Sequence, residues 1–128
     1  MEIPHENENL NISGYGLEIQ LESKGFINFE SLAFEIIKVI ANKIIKEGAK
    51  EIGHIKLYIK GKNGFIKADT IGLKYGIHID GFISPLESLI TLILNVIVIG
   101  IEREKLVEII NESINELIKI YNLTIIKK

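Results

Sequence analysis

Between Glu51 and Ile71 apolar residues fall at every second position on both sides of a tight turn, and few folds accept that pattern. Ile55, Leu57 and Ile59 alternate with His54, Lys56, Tyr58 and Lys60. Past the turn signal Asn63-Gly64, Ile66, Ala68 and Thr70 alternate with Phe65, Lys67 and Asp69. Side chains of a strand point to opposite faces in turn, so this is a hairpin with one oily face and one polar face. A two-residue loop sets Ile59 against Ala68, or against Ile66 if the loop moves back to Lys62-Asn63. Both registers keep the apolar residues together. A three-residue loop would throw Ile59 and Ile66 to opposite faces, and parity argues against it.

The rest of the chain supplies partners for the oily face. Tyr15–Ser23 reads as a strand, with Leu17, Ile19 and Leu21 against Glu18, Gln20 and Glu22. Asn28 is suited to cap a helix from Phe29 to about Glu47. The stripe of that helix is Phe29, Leu32, Ala33, Ile36, Ile37, Ile40 and Ile44, and Gly48 fits its end. Phe34, Val39 and Ile45 widen the apolar surface beyond one stripe, as on a helix packed on two sides. Ile77–Ile83 is a further strand. Ser84-Pro85-Leu86-Glu87 has the form of a helix start, yet the β-branched run Ile93–Ile99 demands a strand. The expected outcome is a short turn over Pro85–Ser88 and then a strand to Ile99. That strand is apolar on both faces, so it is expected to be central, and Asn95 within it is expected to be buried and hydrogen-bonded to a neighbouring backbone group, a mate in a symmetric interface or a ligand. A second helix follows Gly100, with Leu106, Ile109, Ile110, Ile114, Leu117, Ile118 and Tyr121 on its buried face. Asn122 is placed to end it in the left-handed conformation, and Leu123–Ile126 is a last short strand.

The order strand, helix, three strands, strand, helix, strand predicts an α+β fold. It is a two-layer sandwich with a mixed, mostly antiparallel sheet of five to six strands. Both long helices lie on one face, in an arrangement related to the ferredoxin-like one. At 128 residues the chain is one domain over 14–128, preceded by a flexible arm over 1–13. His5 in that arm lacks the spacing of a helical zinc site.

Composition narrows the chemistry. There is no cysteine, so disulfides, thiolate metal sites and cysteine nucleophiles are excluded. A net charge of −2 offers no basic footprint for nucleic acid. The longest apolar run, Leu89–Ile101, is interrupted and too short to span a membrane, and the opening residues are no signal peptide. The expectation is a cytoplasmic protein that binds neither nucleic acid nor membrane. Twenty-nine isoleucines and a single arginine, Arg103, give it the profile of an AT-rich or thermophilic, archaeal-like source.

With the helices on one side, the other sheet face carries Glu18, Gln20, Glu22, His54, Lys56, Tyr58, Lys60, Phe65, Lys67, Asp69, His78 and Asp80. Three uses compete: a solvated face, a self-association face seeded by Tyr58, Phe65 and Phe82, and a ligand site. In the third, His54, His78, Asp69 and Asp80 would hold a divalent metal, or Lys56 and Lys67 an anion; Asn95 is a further ligand candidate. No phosphate loop and no nucleophile elbow is present, so no catalytic residue and no cofactor is assigned.

Gly53-His54-Ile55-Lys56, Gly64-Phe65-Ile66-Lys67-Ala68 and Leu94-Asn95-Val96-Ile97-Val98 together resemble the small domain appended to P-loop GTPases of the CobW type, over about Phe29 to Leu117. The nucleotide-binding domain of that family has no counterpart here, so GTP hydrolysis does not carry over. The resemblance implies a stand-alone module accessory to metal or corrinoid cofactor handling. The expected function is a non-catalytic binding or assembly module forming a homo-oligomer, a dimer or higher, or meeting another protein partner. The alternative is a small oligomeric enzyme with a His/Lys/Asp site between subunits.

Overall fold

Helix α1 (Phe29–Lys46) begins where the sequence supplies a cap: the Asn28 side chain accepts a hydrogen bond from the Ser31 amide at 3.0 Å. It ends on Gly48 at φ +103°, where the Gly48 amide donates to the Ile45 carbonyl and the Ala49 amide to that of Ile44. These two bonds satisfy carbonyls that the helix end would otherwise leave open. The computed structural model describes residues 11–127. Around α1 it arranges β1 (Ile12–Ser23), β2 (Glu51–Lys60), β3 (Phe65–Thr70), β4 (His78–Phe82), β5 (Leu89–Ile99), α2 (Arg103–Ile120) and β6 (Leu123–Lys127). The first ten residues, His5 among them, lie outside the described residues. β1 starts at Ile12, within the stretch read above as an arm, because Ile12 and Ser13 pair with Ile99 and Val98.

The six strands form one sheet in the order β4-β3-β2-β5-β1-β6, and every neighbouring pair is antiparallel. The parallel pairing implied by a mixed sheet does not occur. Each strand–helix–strand unit leaves a gap one strand wide, and the other unit fills it: β5 lies between β1 and β2, and β1 between β5 and β6. β5 is therefore central, as its two apolar faces foretold.

Both helices pack on one face of the sheet. The core joins the α1 stripe and Leu106, Ile109, Ile110, Ile114 and Leu117 of α2 to Leu21, Ile55, Leu57, Ile59, Ile66, Ala68, Leu92, Leu94, Val96 and Val98. Outside it, Lys43 pairs with Glu116 at 3.5 Å, and Lys105 with Glu47 at 3.6 Å, tying α1 to α2.

The β2–β3 hairpin takes the second of the two expected registers, Ile59 opposite Ile66. The Gly61 amide donates to the Gly64 carbonyl at 2.8 Å, so Lys62-Asn63 are the loop residues. Neither Asn63 nor Gly64 has positive φ. Gly64 is required for a different reason: a Cβ there would run into the carbonyl oxygen of Phe82. Gly81, at φ +97°, would likewise meet the Phe65 carbonyl. The two glycines let β4 close against the start of β3.

Candidate functional site

The face turned away from the helices is built row by row by the strand register. One row runs His78, Asp69, Lys56, Asn95, Gly16 from β4 to β1; the next runs Asp80, Lys67, Tyr58, Ile93, Glu18; a third runs Phe82, Phe65, Lys60, Thr91, Gln20. All seven ligand candidates named above, His54, Lys56, Lys67, Asp69, His78, Asp80 and Asn95, share this face.

Asn95 is the one whose environment differs from expectation. It is exposed, because the second apolar face of β5 is the uncovered one. The buried residues of β5 are Ile90, Leu92, Leu94, Val96 and Val98, so parity turns Ile93, Asn95, Ile97 and Ile99 outward.

His54 reaches the face through a bulge. The β2–β5 register slips between Ile52 and His54, with Gly53 the extra residue. A Cβ on Gly53 would sit 3.0 Å from the Ile97 carbonyl oxygen. The bulge resolves a parity conflict in the sequence, since Ile52 is buried and His54 faces the other way. His54 Nε2 is covered and has no hydrogen-bond partner among the described residues.

The titratable groups do not converge. His54 stands opposite Ile97, a row away from the strip holding His78 and Asp69. Among the described residues no three His, Asp or Glu side chains are grouped to hold a metal ion. Lys56 stands opposite Asp69 and Lys67 opposite Asp80 across the strands, and neither pair closes into a salt bridge. The Asp80 carboxylate is itself occupied by the Gly81 amide at 2.9 Å.

What the register does bring together is a spine. Ile93, Ile97 and Ile99 of β5 are half-buried on the open face, flanked by Tyr58, which lies 6.4 Å from the Phe65 ring. Phe65, Phe82, Leu89 and Ile12 extend the apolar surface to the corners, each at least 49% exposed. On the β1 side of the spine stand Glu18 and Glu22; on the β2 side stand Lys56 and Lys60. Farther along β1 from the acids, Gly14 and Gly16 leave the strand bare opposite Ile97 and Asn95. Sequence reasoning used the isoleucine run only to mark a central strand, and it assigned neither the isoleucines nor these two glycines to the open face. The signal was their spacing: i, i+2 puts Gly14 and Gly16 on the face of Glu18, and odd-numbered parity puts Ile93, Ile97 and Ile99 on the face of Asn95.

No helix among the described residues is long and apolar enough to cross a membrane. Compared with protein-family models, curated proteins and solved structures, the chain finds no match in any of the three.

Proposed function

We propose that the protein is a non-catalytic module that self-associates through the open face of its sheet. The observation that carries this is the isoleucine spine on β5. Antiparallel sheets tolerate water on one side, but they do so with polar residues there; three outward isoleucines on the central strand, joined by Tyr58, Phe65 and Phe82, form an apolar strip broken only at Asn95. A footprint four strands wide and nine residues long measures roughly 20 by 30 Å, about 600 Å² before side-chain relief is counted. That is close to the ~800 Å² per partner of a stable interface.

The interlocked strand–helix–strand units, with the β3–β4 hairpin added at one side, support a relation to the ferredoxin-like arrangement. An accessory role in metal or corrinoid handling rests on the short motifs of the family resemblance alone. For an enzyme with a His/Lys/Asp site between subunits, no specific observation speaks: His54, Lys56, Asp69, His78 and Asp80 spread over three strands without a mutual hydrogen bond.

Sedimentation velocity at tens of micromolar tests the reading. The expected result is a dimer or higher species for the native chain and a monomer for Ile93→Glu, with the circular dichroism of the two unchanged. A monomeric native chain, or an Ile93→Glu variant that still associates, would overturn it.

A further inference from the structure

We infer that the open faces of two copies meet about a two-fold axis running along β5, so that β1 of each protomer lies over β2 of its partner. The inference rests on the self-association proposed above and goes on to fix its geometry. Two sheets packed face to face keep their strands nearly aligned, and a two-fold axis in the plane between them has two choices. An axis perpendicular to the strands lays β1 on β1 and β2 on β2. With that axis at the level of Ile93, Glu18 would face its own copy and Lys56 would face Lys60 of the partner subunit. Like charges brought together at an interface cost several kcal/mol. An axis along β5 exchanges left for right and leaves each row at its own height. Glu18 then stands opposite Tyr58 of the partner subunit, with Lys56 and Lys60 of the partner subunit on either side of it. The spine packs on its own copy, and Asn95 meets Asn95 of the partner subunit near the axis, where two amides can exchange hydrogen bonds.

A second, independent observation points the same way. Gly14 and Gly16 are not needed by the protomer. Neither has positive φ. A Cβ on Gly14 would come no nearer than 3.6 Å to the Val96 carbonyl oxygen, and one on Gly16 no nearer than 3.4 Å to that of Leu94, both ordinary contacts. Glycine inside a strand weakens it by about 0.5–1 kcal/mol relative to alanine, so two in β1 with no local cause mark a close approach from outside. Under the axis along β5, the segment over Gly14 and Gly16 is the one bearing His54 and Lys56 of the partner subunit. The bare backbone of β1 is the hollow, and the side chains of β2 are the ridge that seats in it.

Sedimentation equilibrium on four full-length chains tests this. The native chain is expected to dimerise, more weakly as salt is raised. Glu18→Lys/Glu22→Lys is expected to weaken the dimer about a hundredfold by setting lysine against lysine. Adding Lys56→Glu/Lys60→Glu to it exchanges the charges of the two strands and is expected to restore the native dissociation constant within about tenfold. Gly14→Val/Gly16→Val fills the hollow without disturbing any charge, and is expected to give a monomer that melts no lower than the Ile93→Glu monomer. If the native chain dimerises but the acid-to-lysine variant does so equally well, or the four-residue exchange remains monomeric while folded, or the valine variant dimerises like the native chain, the axis is wrong and self-association stands. If the native chain is monomeric, the underlying reading falls and the axis with it.

Discussion

Asn95 and Asn28 are the same side chain in two situations, and their substitution separates them. Asn28 satisfies an amide at the start of α1, so Asn28→Ala is expected to cost about 1 kcal/mol in urea unfolding. Asn95 is exposed on the protomer, and Asn95→Ala is expected to change the stability of a monomeric background such as Ile93→Glu by less than about 0.5 kcal/mol. Thr70 is a third case, a buried hydroxyl that accepts from the Gly72 amide at 3.1 Å and lies 2.7 Å from the Gly76 carbonyl oxygen, holding the loop between β3 and β4. Thr70→Val keeps the shape and orphans those groups, and is expected to cost about 1–3 kcal/mol by the same measurement. The sequence made the cap at Asn28 and the left-handed Asn122, at φ 58°, readable, because each is decided by the chain within a turn of itself. It misjudged Asn95, because burial depends on which face the helices cover, and nothing near residue 95 encodes that.

Among elements, strands were legible by alternation and helices by stripe, and what escaped were the interruptions. The bulge at Gly53 and the close approach at Gly64 and Gly81 are events between strands, and a glycine in the sequence does not say which neighbour it makes room for. Parity still makes a sharp forecast for β2. Leu57→Ala removes a fully buried side chain and is expected to cost about 2–5 kcal/mol, while Lys56→Ala one position away is expected to stay within about 0.5 kcal/mol on the same monomeric background. The helix pair carries a pH dependence of definite sign. The Lys105 ammonium is raised above its ordinary pKa by its hydrogen bond to Glu108, then by the charges of Glu108 and Glu47. The Tyr121 phenol is raised by burial and then by Glu35. A raised folded-state pKa means that the folded chain holds its proton longer, so both contributions are complete below about pH 10 and disappear as pH climbs through the folded values. Melting temperature followed from pH 8 to 11.5 is expected to fall above pH 10, and less steeply in Lys105→Met combined with Tyr121→Phe.

At the scale of the whole molecule, element order alone was enough to foresee two helices over one face of a sheet. It did not foresee that each crossover would straddle a strand of the other, which makes every pairing antiparallel. If two copies do join through the uncovered face, the melting temperature of the native chain is expected to rise with protein concentration, since association favours the folded state by mass action; Ile93→Glu should show no such dependence. The same interlocking has a consequence in time. β1 opens the described chain at Ile12, and the strand it needs, β5, ends at Ile99. A nascent chain leaving the ribosome therefore carries β1, α1 and β2 as an incomplete half, its central slot vacant until β5 is synthesised. Such distant pairings pay loop-closure entropy before they gain contacts, which slows folding. The keystone of the sheet is delivered late.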